Sequence, residues 1–502
     1  MAGSPINSEP WLPLDLLIDE VLTRLPSVTV VRSRLVCRAW NVALTSDHFL
    51  AAHAAKHPPE ILFFPPAEGP ATSFYACSLP PAAGAGAGAA RHLLTVGNLA
   101  VEYVVLSRRP CRGLTLFRDA RSPSDYYVCN LSTGQNTVLP PCEPARMFRI
   151  ENFTVPYYSP RFHPTMAPWA PFEFSSAGLC FDRKTGKHKV VRFFANRMSE
   201  LKCEVHTLGS QGWRPCAGKV PPQGPWPGLM KYLSGLPPVA VGEYFFWLLK
   251  AHSNVGARPH DPHILYFSVA DEHFGWGRTP PRVSGWRRNH CIRQLAELDG
   301  SLCAVAYGLP RRYALGGEER VIELLTWSPG AASSSPPSWK TRYRIDLATL
   351  PQPVRDELDN ESHIIVPLCT TTGGKVVLLA TGHHKVFAYD AARNAVEKVF
   401  SMEDYVDFPV CHSEARLHIN VCLHEERVAD VPKAPEDADG AKRLQVKLGD
   451  GATVVGRREK HRRLCDKCVA AGHGNECVSA GWEQMLWTPA LRDHLPPRQY
   501  IA

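Results

Sequence analysis

The sequence contains no hydrophobic run long enough to span a lipid bilayer. Its most apolar stretch is YFFWLL at Tyr244–Leu249, whereas a membrane helix needs about 20 apolar residues. The N-terminus, MAGSPINSEP, has no basic segment followed by an apolar run, which is the pattern of a secretory signal. We therefore expect a soluble protein of the cytoplasm, the nucleus or both.

The sequence also lacks the catalytic motifs that are recognised from residue spacing. It contains no HExxH, no G-x-S-x-G and no protein-kinase signature. The GAGAG run within residues 79–90 is not followed by the Lys-Ser/Thr pair of a phosphate-binding loop. These absences favour a binding protein over an enzyme.

A strong excess of one charge is missing as well. The formal net charge is +8 over 502 residues, whereas a nucleic-acid-binding protein concentrates positive charge on one domain. The abundant residues are instead proline (45) and glycine (36), together with 12 tryptophans and 15 tyrosines. This composition predicts many turns, few long helices and a β-rich interior.

The sequence contains 16 cysteines, most of which stand singly among apolar residues. Cys180 in GLCFD and Cys303 in GSLCAVAYG are examples. Because disulfides are rare in a reducing compartment, we expect these cysteines to be small buried side chains with free thiols.

The first of three regions, residues 9–57, is the only part with a convincing helical pattern. In LPLDLLIDEVLTRLP, apolar residues recur at helical spacing at positions 17, 21, 22 and 25. Pro13 suits the entry of this helix and Pro26 ends it. Ser27 is predicted to cap a second helix through Trp40, and a third short helix follows in NVALTSDHF. Three short helices in about 45 residues cannot bury a sufficient core, so they must dock on another surface.

The same segment resembles an F-box along its whole length. It has a Leu-Pro start, an acidic and leucine-rich helix, an RLP break, the spacing R-x-R-x-V-C-R-x-W and a closing SDHF. The residues of these motifs are Leu12, Pro13, Arg24, Leu25, Pro26, Arg32, Arg34, Val36, Cys37, Arg38, Trp40 and the four from Ser46 to Phe49. One departure is Val30 and Val31, which replace the usual leucines with other apolar residues.

This resemblance implies docking onto the Skp adaptor of Skp–cullin–F-box ubiquitin ligases and, through the adaptor, onto cullin. The residues expected to contact the adaptor or to define the motif are Leu12, Pro13, Leu16, Leu17, Val21, Leu22, Leu25, Pro26, Val36, Cys37 and Trp40. The alternative is that the three helices simply pack against the β domain of the same chain.

The second region, residues 59–431, contains many short apolar runs separated by turn residues. Six stretches have the pattern of a β-hairpin, with period-two apolar runs around Gly, Asp or Asn. They lie at 126–141, 178–194, 203–216, 264–281, 292–308 and 386–400. Hairpins that recur every ~40–60 residues indicate a β-propeller, for which this region has room for about six to seven blades. The predicted fold class is therefore α+β and multidomain: a three-helix unit, a large mostly-β domain and a short Cys/His tail. A pair of β-sandwiches is the alternative for the β domain.

Three phrases in this region resemble the F-box-associated domains of the plant-expanded F-box families. They are CNLSTGQNTVLPP, CFDRKTGKHKVVRFF and LAELDGSLCAV. The resemblance implies a kelch-like propeller that holds a target protein. Trp226, Trp276 and Trp286 lie near Pro/Gly loops, and binding hot spots favour tryptophan. Packing at blade edges explains these three residues at least as well.

The third region begins with a predicted charged linker at 432–456, followed by a basic, Cys/His-rich segment at 457–482. Cys465, Cys468, His473 and Cys477 follow the spacing C-x2-C-x4-H-x3-C. A C-x-x-C turn delivers two thiolates to one zinc ion. The spacing resembles a zinc knuckle with one residue fewer before the last cysteine, and His461 could replace His473. We expect a structural zinc site, with a flexible tail of free thiols as the alternative.

Together these features predict a non-catalytic substrate-recognition subunit of a Skp–cullin–F-box ubiquitin ligase. The helices would dock the Skp adaptor, and the β domain would bind an unidentified target protein. No cofactor is required, the structural zinc expected in the C-terminal tail is not essential to this function, and neither nucleic acid nor a membrane is an expected partner. The alternatives are a zinc-containing nucleic-acid-binding or scaffold protein outside any ligase, and an enzyme of the kelch-propeller kind with titratable residues in its channel.

Overall fold

The structure is a computed structural model. It describes residues 13–64, 71–79, 88–97, 103–105, 109–119, 125–145, 147–148, 172–173, 175–198, 200–220, 237–249, 263–277, 280, 290–308, 321–328, 338–359, 365–382, 384–406, 421–432, 444–449 and 453–454. Within these residues, no helix is both long and apolar enough to cross a membrane.

The N-terminal helical unit consists of more and shorter segments than the three helices predicted. The first segment runs as α1 (Leu14–Leu16), a π turn (Leu17–Val21) and a 3-10 turn (Leu22–Arg24). It is followed by α2 (Ser27–Ser33), α3 (Arg38–Thr45) and α4 (Asp47–Lys56).

Two helix caps explain where the predicted helices are divided. Cys37 has an extended backbone, with φ −159° and ψ 169°, and its Sγ accepts a hydrogen bond from the N–H of Trp40 at 3.5 Å. Ser46 Oγ accepts from the N–H of Phe49 at 3.2 Å and starts α4. The prediction that Ser27 caps α2 was wrong, because Pro26 occupies the cap position and Ser27 is the first helical residue.

The rest of the described chain is mainly β-structure. The strands are β1 (Glu60–Phe63), β2 (Ala71–Ser78), β3 (Ala90–Gly97), β4 (Tyr103–Val105), β5 (Leu114–Asp119), β6 (Tyr126–Asn130), β7 (Asn136–Val138), β8 (Met147–Phe148), β9 (Phe172–Glu173), β10 (Ser175–Asp182), β11 (Lys187–Ala195), β12 (Leu201–Thr207), β13 (Arg214–Pro215), β14 (Val239–Val241), β15 (Tyr244–Leu249), β16 (His263–Ser268), β17 (His273–Gly277), β18 (His290–Leu298), β19 (Ser301–Gly308), β20 (Val321–Ser328), β21 (Ser338–Asp346), β22 (Ile365–Thr371), β23 (Val376–Thr381), β24 (Lys385–Asp390), β25 (Ala395–Ser401), β26 (Val421–His424), β27 (Gln445–Leu448) and β28 (Thr453–Val454). One further helix, α5 (Gln352–Leu358), and three 3-10 turns, Leu347–Thr349, Thr372–Gly374 and Met402–Asp404, lie between strands.

Most of the described strands form six antiparallel sheets of at least four strands each, which are the blades of a β-propeller, while β8 and β9 pair as a separate two-stranded sheet. Blades 2 to 6 consist of β4–β7, β10–β13, β14–β17, β18–β21 and β22–β25. Blade 1 joins both ends of the domain, because β26 pairs with β1, and β2 and β3 follow outward. The predicted propeller is therefore confirmed, with six blades.

Apolar clusters between neighbouring blades show that the six sheets form a closed ring. Each pair of consecutive blades shares one cluster of buried residues. The last cluster joins blade 6 to blade 1, where Val386 and Phe400 pack with Phe63 and Val421. Buried apolar surface thus holds the ring together, and pairing of β26 with β1 closes it.

All six hairpins predicted from the sequence are present. In the turn between β18 and β19, Asp299 and Gly300 have φ values of +50° and +79°. A two-residue turn with positive φ at both positions favours the sequence Asp-Gly, which occurs here. Local turn chemistry therefore made these elements predictable.

The segment predicted to be a charged linker, 432–456, contains two strands. β27 and β28 both pair with the outer edge of β3 in blade 1. The alternation of the sequence QVKL explains β27, since Val446 and Leu448 pack against the apolar cluster between blades 1 and 2 while Gln445 and Lys447 are exposed. The boundary of the β domain is corrected accordingly.

The cysteines within the described residues are all free thiols, and most are buried. This agrees with the expectation that cysteine serves here as a small apolar residue. Cys37 is exposed, and Cys111 and Cys216 are partly exposed.

A buried ion network joins blade 3 to blade 4. Lys189 Nζ lies 2.9 Å from Asp182 Oδ2 and 3.1 Å from Glu272 Oε1. The Arg214 guanidinium also binds both carboxylate oxygens of Glu272. The hydrogen bonds from Arg214, together with those from Ala217 N–H and Lys189, outweigh the effect of burial and hold the pKa of Glu272 at about 2.

This network predicts that the stability of the folded protein falls at acidic pH. Because the pKa of Glu272 is lower in the folded state than the usual 4.5, its stabilisation is present above about pH 4.5 and is lost as the pH falls towards 2. Glu272→Gln should lower the thermal unfolding midpoint at neutral pH, and the difference from wild type should shrink below about pH 4. Thermal unfolding of wild type and variant across this pH range measures the difference between their midpoints. Glu403→Gln, at an exposed position, is the control, and a difference for Glu272→Gln that does not vary with pH would contradict the assignment.

Candidate functional site

The helical unit has a small apolar core that the propeller helps to complete. Its buried residues are Ile18, Leu22, Val30, Leu44 and Phe49. Val428, which follows β26, belongs to the same cluster and is 4% exposed. The helices therefore bury one side of their core against the β domain of their own chain.

Five large apolar side chains of the helical unit remain exposed. The exposed fraction is 50% for Leu16, 42% for Val21, 87% for Leu35, 65% for Val36 and 70% for Val42. Leu35 and Val36 lie between α2 and α3, and Val42 lies on α3. The described part of the propeller, although much larger, has only three such side chains: Met198, Tyr244 and Trp276. Exposed apolar surface concentrated on so small a unit is typical of a site of protein interaction.

The residues predicted to contact the adaptor or to define the motif fall into several groups. The exposed ones are Pro13, Leu16, Val21, Pro26, Val36 and Cys37. Those partly buried against the helical core are Leu17, Leu25 and Trp40. Leu22 is buried in that core, and Leu12 lies outside the described residues.

Sequence reasoning missed Leu35 and Val42 as exposed apolar residues. Both lie within the motif segment, but the recurrent spacing marks their neighbours Val36 and Trp40 instead. The signal that could have found Val42 is the sequence of α3, RAWNVALT, in which Val42 and the buried Leu44 are two residues apart. Residues two apart on a helix do not share a face.

Residues 425–431, which follow β26, attach the helical unit to the propeller; we call them the strap. The N–H of Ser27 donates to Glu426 Oε1 at 2.7 Å. Arg34 Nη1 donates to both carboxylate oxygens of Asp430 at 2.9 Å. With Val428 in the helical core, every second residue of the strap therefore contacts the helices.

The other side of the strap lies against blade 2. Asn130 Nδ2 donates to the carbonyl oxygens of Arg427 and Ala429 at 3.1 and 2.8 Å. The N–H of Val431 donates to Gln135 Oε1 at 3.1 Å. Gly113 permits this approach, since a Cβ built there would lie 2.4 Å from Arg427 Cβ. The strap is thus fixed between the helices and the turn that follows β6.

Comparison with known families agrees with this geometry, because residues 10–51 match the model of the F-box domain. The chain therefore contains an F-box domain at residues 10–51. Its helical unit is the F-box, and its β domain is a six-bladed propeller. Whether the propeller is of the kelch kind remains a prediction.

Comparison with curated proteins found no significant match. Similar solved structures include the β-propeller domain of Myceliophteria thermophila Cps50 (Swd1), with 9% identity over 58% of this chain and 84% of that one and a TM-score of 0.27. Apo AztD from Citrobacter koseri has 10% identity over 68% and 82%, with a TM-score of 0.29. The propeller domain of the Trilobed protease from Pyrococcus furiosus has 8% identity over 70% and 100%, with a TM-score of 0.22. Sequence identities and TM-scores this low support no argument about function.

The carboxylate of Glu426 joins the F-box to three parts of blade 1. Besides Ser27, it binds Arg91 Nη2 of β3 at 2.9 Å and lies 3.5 Å from His424 Nε2 of β26. Arg91 Nη2 also binds Glu60 Oε2 of β1 at 2.6 Å. Burial alone would raise the pKa of Glu426, but the hydrogen bond from His424, the charges of His424 and Arg91 and the N–H of Ser27 hold it well below the usual range.

Glu60, His424 and Glu426 also satisfy a geometric criterion for a metal site. Their ligand atoms lie within 4.8 Å of one another. However, the Arg91 guanidinium is hydrogen-bonded to both carboxylates and already supplies the positive charge that they require. This cluster is therefore better described as a structural ion network.

A second ion network crosses the central channel at the end where the strap leaves. Arg109, which precedes β5 of blade 2, binds both oxygens of Glu297 at 2.8 and 2.9 Å. Its Nε donates to Glu425 Oε1 at 2.9 Å. Glu297 lies near the end of β18 in blade 5, which is opposite blade 2 in a six-bladed ring. Arg109 therefore spans this mouth of the channel.

The remaining candidates from the sequence are the Cys/His residues of the C-terminal tail and three tryptophans. Cys465, Cys468, His473 and Cys477 lie outside the described residues, as do His461, Trp226 and Trp286. Trp276 lies on β17 and is 49% exposed.

The Glu426 network predicts how firmly the F-box is attached. Glu426→Ala leaves the buried Ser27 N–H without its acceptor and removes one of the two carboxylates bound by Arg91, which should cost about 3 kcal/mol. The expected result is at least ~100-fold faster hydrogen exchange of the Ser27 amide, measured in the full chain by exchange and mass spectrometry.

Asp430→Ala is the matched control for this prediction. It removes another acceptor of the strap, but the Asp430 side chain is 60% exposed and does not contact the Ser27 amide, so its loss should affect Ser27 exchange less than the loss of Glu426. Equal effects of the two variants, or unchanged Ser27 exchange in Glu426→Ala, would show that Glu426 does not hold the F-box.

Proposed function

We propose that the protein is the substrate-recognition subunit of a Skp–cullin–F-box ubiquitin ligase. The F-box binds the Skp adaptor and, through it, cullin, while the propeller binds a target protein for ubiquitination. The observation that carries the proposal is an F-box with one side attached to the propeller and with exposed apolar residues left free for a partner. The protein itself acts without catalysis, in the cytoplasm, the nucleus or both.

The exposed apolar residues account for the energy of adaptor binding. Burying a leucine- or valine-sized side chain contributes about 1.5–3 kcal/mol. Leu35 and Val42 are 87% and 70% exposed and contribute little to the F-box's own core. Most of their apolar surface is therefore available for burial against the adaptor.

The strap fixes the orientation of the F-box relative to the propeller. Because Glu426, Val428 and Asp430 hold the F-box against the propeller, adaptor and propeller keep one relative orientation. The mouth of the channel on the strap side is spanned by Arg109. The opposite face, where the turn between β11 and β12 exposes 81% of Met198, is the side we assign to the target protein.

Adaptor binding should depend on exposed residues that the F-box does not need for folding. Leu35→Ser together with Val42→Ser should weaken binding of a purified Skp adaptor about 100-fold or more, since two apolar anchors are lost. The thermal stability of the free protein should change little, because both side chains are largely exposed. Calorimetric titration of adaptor into each variant measures the effect.

Leu12→Ala with Pro13→Ala should likewise abolish co-purification of the adaptor.

Met198→Ser is the control, because it removes an equally exposed apolar residue from the propeller. It should leave adaptor affinity unchanged. If the wild-type protein binds no Skp adaptor, the proposed function is wrong. Affinity purification with mass spectrometry, comparing wild type with the Leu12/Pro13 variant, would then identify proteins held by the propeller.

For the C-terminal tail we propose a structural zinc site formed by Cys465, Cys468, His473 and Cys477. The support is the spacing of four soft ligands with a C-x-x-C turn. Purified protein should contain about one zinc per chain, and Cys465→Ser with Cys468→Ser should remove it. Elemental analysis by mass spectrometry measures both. Wild-type protein without zinc would leave these residues as free thiols, without affecting the assignment of the F-box.

A further inference from the structure

Two cysteines of blade 3 form a thiol pair that the proposed function does not use. Cys203 lies on β12, and Cys216 follows directly after β13. The register places Glu204 opposite Pro215 and Val205 opposite Arg214, so Cys203 and Cys216 are the next opposed pair. The Cys216 N–H donates to the Cys203 carbonyl oxygen at 3.0 Å, which confirms the pairing.

The backbone geometry is suited to a disulfide. Opposed residues in a hydrogen-bonded antiparallel pair have Cα atoms about 5.5 Å apart, and disulfides span Cα separations of roughly 4.4–6.8 Å. The two side chains lie in the same apolar cluster between blades 3 and 4, where the Cys216 thiol donates to the Gly218 carbonyl oxygen at 3.2 Å. A bond between the sulfurs therefore requires little movement of the strands.

The two thiols have different environments. Cys203 is 4% exposed, and burial raises its pKa far above the usual value. Cys216 is partly exposed, and the hydrogen bond from Cys203 lowers its pKa, although burial and the nearby Glu272 oppose this. A partly exposed thiol of lowered pKa next to a buried thiol is the arrangement in which one sulfur is oxidised first and the other resolves it.

We propose that Cys216 and Cys203 form a peroxide-sensitive dithiol that closes reversibly to a disulfide. The Cys216 thiolate attacks one oxygen of a hydroperoxide, which breaks the O–O bond, forms a sulfenic acid on Cys216 and releases the other oxygen as water or an alcohol. The Cys203 thiol then attacks the Cys216 sulfur and releases water. The two thiols are oxidised by two electrons, the peroxide is reduced by two, and a small dithiol reverses the reaction.

The disulfide would act on the junction between blades 3 and 4. The residues around Cys216 are bound to the turn of blade 4: Arg214 and the N–H of Ala217 bind the Glu272 carboxylate, and the N–H of Gly218 donates to the Glu272 carbonyl oxygen. A covalent link from Cys216 to β12 fixes this short edge segment on the blade. The oxidised protein should therefore unfold a few degrees higher than the reduced protein.

The test uses the reduced full-length protein treated with hydrogen peroxide at neutral pH. After the remaining thiols are alkylated, mass spectrometry of the digested protein should find a Cys203–Cys216 cross-link that dithiothreitol removes. Cys203→Ala should leave a sulfenic acid on Cys216 that dimedone traps, and Cys216→Ala should abolish both the cross-link and this label. Thermal unfolding of each reduced variant checks that it is folded.

The chain contains a matched control pair. Cys111 and Cys180 also lie near each other, but burial raises the pKa of both thiols. Their oxidation should be at least about tenfold slower than that of the Cys203–Cys216 pair. If the wild-type protein forms no Cys203–Cys216 cross-link, or if Cys111 and Cys180 oxidise as fast, the proposal is overturned.

Discussion

Pairing of β26 with β1 is the interaction on which the rest of the structure depends. It brings the C-terminal part of the chain into blade 1 and closes the ring, because blade 6 then packs against a complete blade 1. It also directs the next seven residues across the end of the propeller as the strap. Ring closure and attachment of the F-box therefore have the same origin, and a chain without β26 would lose both.

The strap lets the F-box complete its apolar core and still keep apolar side chains exposed for a partner. The F-box is too small to bury its core alone, yet a partner needs exposed apolar surface on it. Val428 completes the core on one side, while Leu35 and Val42 stay exposed elsewhere on the unit. The expectation that the helices must dock on another surface and the alternative that they pack on their own β domain thus both describe part of the molecule.

Local features of this fold could be predicted from sequence. The F-box motif and the six hairpins depend on residues close together in the chain, such as the Asp299–Gly300 turn with its two positive φ values. The blade number could be bounded only at six or seven, since long insertions obscure the repeat. The sequence predicts a linker where β27 and β28 lie, since their partner β3 is about 350 residues earlier in the chain and so distant a pairing leaves no local pattern.

The sequence by itself determined the kinds of domain, an N-terminal F-box and a propeller made of hairpins, and it also predicted the free thiols, mostly buried, of the cysteines that the structure describes. Tertiary structure alone decided which F-box residues are exposed, how the F-box is attached and which thiols meet. The physical reason is distance along the chain. Ser27 and Glu426 are 399 residues apart, and their hydrogen bond exists only because the ring brings β26 beside β1. Contacts of that kind leave no local pattern in a single sequence.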